Sequence, residues 1–169
     1  MCCKVLHIDE FEKPADQWCR HIDTGGGCSI YETRYAVCRG YRCMWLDIDA
    51  LGPEWQPSRC KFIMHRVEGK LGTWINVDAA HPLAWKQAPF YGQIKAWSEV
   101  ARHGSGYVAV CVADRTFVVF PEEDLEIPDV PKHADLKVGY RHSNGQRRPL
   151  VMVRSPVGVI TEHLGTPIF

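Results

Sequence analysis

Six of the eight cysteines (Cys2, Cys3, Cys19, Cys28, Cys38 and Cys43) lie in the first 43 residues, where an even spread over 169 residues would place about two. Only Cys60 and Cys111 fall in the remainder. Such clustering points to a metal site or a disulfide framework. Thiolates bind soft and borderline cations; zinc sits at roughly 2.3 Å from sulfur, and four thiolates close a tetrahedral structural site. Unliganded thiols are the third reading of the cluster.

Compartment and size weigh between these readings. The opening run MCCKVLHIDEFEKP has neither the basic region nor the apolar run of a signal peptide, so a cytoplasmic, reducing location is expected. There, dense cysteines more often mean metal or redox chemistry than disulfides. A chain of 169 residues that is 46% hydrophobic can build its own core without staples. No segment approaches the ~20 apolar residues that span a bilayer, so no membrane partner is expected. Twenty basic residues balance twenty acidic ones, and the Arg147, Arg148 pair is no basic patch, so nucleic acid is not expected either.

The densest stretch is WCRHIDTGGGCSIYETRYAVCRGYRCMWL, from Trp18 to Leu46. Cys38 and Cys43 are five residues apart, about 140° around a regular α-helix. Both can meet one metal only if the helix breaks, which Gly40 would permit, or they serve different centres. Gly25, Gly26 and Gly27 allow a tight fold before Cys28 and could turn N–H groups towards sulfur. Arg34, Arg39 and Arg42 bring positive charge to a site whose thiolates carry negative charge. His21, two residues from Cys19, could complete a Cys/His ligand set, although no second histidine stands at ligand spacing from it. Cys60 leans structural, Cys111 reads as a small apolar strand residue, and the other histidines read as surface or core. Trp45 and Trp55 would either shield the site from water or simply pack. The glycine run is no phosphate loop, because neither a following Lys-Ser/Thr nor the G-x-G-x-x-G spacing is present.

The segments CCKVL, KPADQWCRHID, GGGCSIYETR, AVCRGYRCMWL and LGPEWQPSRCKF, over residues 2–63, resemble the YkgJ-type family of zinc- or iron-chelating domain proteins. The resemblance implies that Cys3, Cys19, Cys28, Cys38 and Cys43 are ligands, with Cys2 in the family's Cys-Cys pair. It implies zinc, iron or an iron–sulfur cluster as cofactor. Family members also carry two cysteines just upstream, in C-x-x-C-x-x-C-C, where here Met1 directly precedes Cys2; the start is trimmed or the ligand set reduced. Tyr35 replaces a common Pro, and Cys60 stands where a non-cysteine is usual. A similar cysteine pattern in flagellin lysine methylases implies a remote enzymatic alternative, an iron–sulfur or thiol-dependent redox enzyme.

The expected fold class is α+β. Residues 1–60 lack sustained periodicity, as befits a cysteine-rich metal-binding module with little regular structure. Residues 61–169 read as antiparallel hairpins and one main helix packed on that module, the whole being possible as one continuous domain. KFIMHRV and TWINV form a hairpin about Gly69 and Gly72. Phe90, Ile94, Trp97 and Ala101 recur at helical spacing between Pro89 and Gly104. YVAVCV and TFVVF pair through residues 113–115, with Cys111 on one face. LKVGYRH and PLVMV flank Asn144-Gly145, a tight-turn dipeptide. The acidic, proline-rich run PEEDLEIPDVPKHAD reads as a surface connection.

Overall fold

A computed structural model describes residues 1–66, 72–104 and 106–168. The β-branched runs form a five-stranded sheet in simple chain order: β1 (Phe62–Arg66), β2 (Gly72–Val77), β3 (Tyr107–Val112), β4 (Arg115–Val119) and β5 (Asp124–Ile127). The β1–β2 hairpin pairs Phe62 with Val77 through to Arg66 with Thr73; Val67 and Gly69, expected in its strand and turn, lie outside the described residues. β2 and β3 run parallel, so the chain must cross over between them, and the main helix supplies the crossover. A second sheet, β6 (Asp135–Ser143), β7 (Gln146–Arg154) and β8 (Ile160–Leu164), is antiparallel throughout. Its first turn is the expected Asn144-Gly145, both at positive φ (51° and 72°), which suits the twist of a two-residue hairpin.

Helices α1 (Cys2–Val5), α2 (Ala36–Gly40), α3 (Met44–Asp47) and α4 (Pro57–Cys60) are single turns, and loops make up most of the first 60 residues. Helix α5 (Phe90–His103) starts after Pro89 and ends at Gly104, as its pattern predicts. It buries Phe90 and Ile94 against the face of the first sheet that carries Phe62, Met64, Ile75, Val77, Val108 and Val110. Met44, Trp55 and Cys60 belong to this same core, so the chain just after the cysteine-rich stretch is anchored on the sheet. Trp55 packs edge-on against Phe90 at 4.9 Å and tilted on Trp97 at 5.0 Å, a packing role. The opposite face of the sheet, through Ala109, Val118 and Ile127, meets Leu136, Val151 and Val153 of the second sheet.

Two features correct the sequence reading. The acidic run is not wholly a connection: Asp124–Ile127 pairs with β4 as an edge strand, because Leu125 and Ile127 alternate inward while Glu126 faces out to a bidentate 2.7 Å pairing with Arg115. Strand β8 was not anticipated, since its residues are mostly exposed and carry no apolar alternation. Among the described residues no helix is long and apolar enough to cross a membrane.

Candidate metal centre

Loops that lack a periodic apolar face need other anchors, and two lysines provide them here. The Lys13 ammonium, on a residue only 4% exposed, donates to the carbonyls of Lys4, Leu6 and Pro14 at 2.8, 2.6 and 2.7 Å. This satisfies a buried charge that would otherwise be costly. Lys4, beside the Cys2–Cys3 pair on α1, grips both oxygens of the Asp78 carboxylate at 2.7 Å, just past β2. The Cys19 N–H donates to the Cys3 carbonyl at 2.8 Å, and Ile22 bridges to Cys28 in antiparallel fashion. The Glu10 carboxylate accepts from the Val37 N–H at 3.2 Å at the start of α2, which carries Cys38.

These tethers bring Cys2, Cys3, Cys19, Cys28 and Cys38 to the wall of one cavity of about 400 Å³. His21 joins them, as proximity to Cys19 suggested. Cys43 does not line this cavity: the helix breaks after Gly40, Tyr41 is extended, and Cys43 turns into the interior at the N-cap of α3, 8% exposed. The spacing problem between Cys38 and Cys43 is thus resolved by a break that sends the two sulfurs to different surroundings. All eight cysteines are free thiols.

The sulfurs feel one another. Those of Cys2 and Cys3 are 3.9 Å apart, and a shared proton lowers Cys2 while raising Cys3, so the pair titrates in two steps. Burial, then the charges of Cys19, Cys2 and Cys28, raises the Cys38 thiol. Burial likewise raises the phenol of Tyr41, a residue of the cavity wall whose hydroxyl is buried without a hydrogen-bond partner among the described residues. No three Cys, His, Asp or Glu side chains among the described residues stand in ligating geometry. A multidentate centre therefore requires these sulfurs to move closer together.

The charged and glycine-rich surroundings differ from expectation in detail. Arg34 lines the cavity and stacks over Tyr31 at 3.9 Å, whereas Arg42 pairs with Asp47 at 2.8 Å and Arg39 donates to the Arg34 carbonyl at 2.6 Å. The N–H groups of Gly25 and Gly27 are engaged by the Asp23 carboxylate at 3.1 and 2.9 Å rather than by sulfur. Gly26, at φ 81°, makes that loop possible.

Sequence reasoning missed His65. It lies on β1, where Phe62 and Met64 face α5, so the two-residue period sends His65 to the other face. There it borders the cysteine cavity, 6.3 Å edge-on from Tyr41, and its Nδ1 lies 3.3 Å from the Asn76 amide nitrogen. Burial lowers its pKa, favouring the neutral imidazole. His7 borders the cavity as well. Cys60, 2% exposed, sits within 3.4 Å of the Trp55 carbonyl and 3.2 Å of the Phe62 carbonyl, and burial raises its thiol to about 11. Compared with protein-family models, curated proteins and solved structures, the chain matches none.

Proposed function

We propose that this chain is a metal-binding protein whose N-terminal cysteine thiolates chelate zinc or an iron centre. The observation that carries the reading is the convergence of Cys2, Cys3, Cys19, Cys28 and Cys38, from separate segments of irregular chain, on one cavity. The donor set fits a thiophilic cation: soft sulfurs predominate, the His7, His21 and His65 imidazoles stand beside them, and among the described residues no carboxylate lines the wall to favour a hard ion. Mutual repulsion among nearby thiolates is relieved by a cation. When bound, zinc supplies structural cross-linking, and an iron–sulfur cluster supplies electron transfer. The chain's own residues fix which sulfurs meet: Lys13 and Lys4 hold the Cys2–Cys3 turn, and Glu10 holds the start of α2. The resemblance to YkgJ-type proteins and the expected reducing cytoplasm agree with this role.

A redox enzyme is the second reading, favoured by the size of the cavity. About 400 Å³ exceeds what a single tetrahedral ion occupies and suits a cluster or an ion with a bound molecule. Anaerobic purification with elemental analysis and visible spectra distinguishes the two, since zinc is colourless and an iron–sulfur cluster absorbs and bleaches on reduction. Replacing Cys28 or Cys38 with Ser should lower bound metal, while Cys111→Ala should leave it nearly unchanged. Equal metal content across these variants would sink the proposal.

A further inference from the structure

A second cavity of about 400 Å³ lies on the face of the first sheet opposite α5, between the strands and the segment Val130–Ala134. Its floor is unusual for an inward sheet face. One end of that face is apolar, with Ala109 and Val118 fully buried. At the other end four adjacent strands present His65, Asn76, Cys111 and Thr116 in turn, with Asn76 in register with Cys111 and Cys111 in register with Thr116. Thr116 is 7% exposed, and its hydroxyl meets only the soft Cys111 sulfur at 3.9 Å among the described residues. Polar groups on a covered sheet face cost stability unless they have partners, and apolar residues would pack there better. A bound molecule supplies such partners.

The roof is held in an uncommon backbone shape. Asp129 and His133 both adopt positive φ, 50° and 60°, and bracket Val130, Pro131 and Lys132. Non-glycine residues in this region carry strain that accumulates where side chains must be aimed. Here the strained turn sets the Lys132 ammonium and the His133 ring at the cavity rim. Among the described residues no acidic side chain and no arginine lines the cavity, although the Asp9 carboxylate stands 3.9 Å from the Lys132 ammonium outside the lining, whereas Trp74 forms part of the wall.

We propose that this cavity binds a small organic carboxylate: its anionic group lies against Lys132 and His133, its polar atoms meet Thr116 and Asn76, and its body rests on Trp74. One ammonium and no guanidinium suit a singly charged carboxylate better than a phosphate, which attracts bidentate donors. The volume matches the small end of ligand pockets. The site adjoins the cysteine cavity, because His65 walls both and Lys132 lies 3.1 Å from Nε2 of His7 on the neighbouring rim. It does not depend on the metal reading.

Cys111 serves as the reporter. The intact protein, as purified, is treated at mildly alkaline pH with limiting iodoacetate or iodoacetamide, and alkylation of each cysteine is mapped by mass spectrometry. The Cys111 thiolate displaces iodide in both reactions, forming a C–S bond as the C–I bond breaks; only the charge of the reagent differs. The iodoacetate-to-iodoacetamide rate ratio at Cys111 should exceed that in the unfolded chain by about tenfold. The exposed substitution Lys132→Glu should abolish the excess, and benzoate should slow the labelling more than inorganic phosphate does. A ratio equal to that of the unfolded chain, or no labelling of folded Cys111 by either reagent, overturns the proposal. Stronger protection by phosphate overturns the carboxylate assignment. Metal content, measured on the same samples, reports separately on the cysteine centre.

Discussion

The cysteine-rich segment and the sheet beyond it are stabilised by different physics. Around α5 the chain is held by close-packed apolar side chains; Phe62, Ile75, Ile94 and Val110 are each fully buried. Around the cysteine cavity it is held by point contacts: a buried ammonium under three carbonyls, one ion pair to Asp78, and single backbone hydrogen bonds between loops. The first kind of contact is non-directional and adds up with area. The second is directional, and each member that is lost leaves a specific group unsatisfied. A segment built in the second way tolerates rearrangement of its sulfurs while keeping its chain path, which is what a site that closes around an ion requires.

Metal removal should separate the two regions most widely. In small thiolate sites the free energy of metal binding, about 10 kcal/mol, is largely folding free energy. A strong chelator is therefore expected to raise hydrogen exchange from Cys19 to Trp45 while Phe90–Ala101 stays protected. Uniform loss of protection would break the comparison by revealing one cooperative unit. In the other direction, Ile94→Ala, at a fully buried position of α5, should cost about 2–5 kcal/mol in urea denaturation and leave the metal content per folded molecule unchanged.

Lys13→Met tests the point contacts. It removes the ammonium from three carbonyls and should cost about 2–3 kcal/mol, with faster exchange confined to residues near Leu6 and Pro14. Faster exchange throughout α5 would argue that Lys13 supports the whole molecule.

Acid should touch the sheet side slightly. Burial works to raise the Asp124 carboxyl, but Lys95 at 2.8 Å and Lys86 at 3.0 Å outweigh it and hold the group below its usual value. A depressed native pKa means that the unfolded chain takes up the proton more readily. The contribution is thus complete above the ordinary carboxylate range of about 4 and fades as pH falls through the lower native value. Asp124→Asn should flatten that acid limb of stability, read from urea midpoints across pH; an unchanged limb would remove Asp124 as its source.

Much of the sheet was legible because its rules are local. Helix α5 shows its period and its boundaries, and Asn144-Gly145 names its own turn. Strand β5 was obscured because the charged Asp124 and Glu126 alternate with its apolar positions and make the run look like a loop, although Leu125 and Ile127 keep the two-residue period. Of the candidate centre, the sequence revealed which residue type gathers but not which members meet. Cys43 is turned aside by a helix break whose direction only the packing of Met44 decides. His65 completes the wall from outside the densest motif, through strand parity that becomes meaningful only once the covered faces are known.

The Lys4–Asp78 ion pair has a consequence for synthesis. Its partners are 74 residues apart, and translation at about 5–20 residues per second separates their appearance by about 4–15 s. Cys2 and Cys3 emerge just before that interval and Cys19, Cys28, Cys38 and Cys43 within it, all before the Asp78 that will anchor α1 exists. For those seconds the Lys4–Asp78 tether cannot yet form, so the chain path around the six thiols is fixed only after all of them have been synthesised.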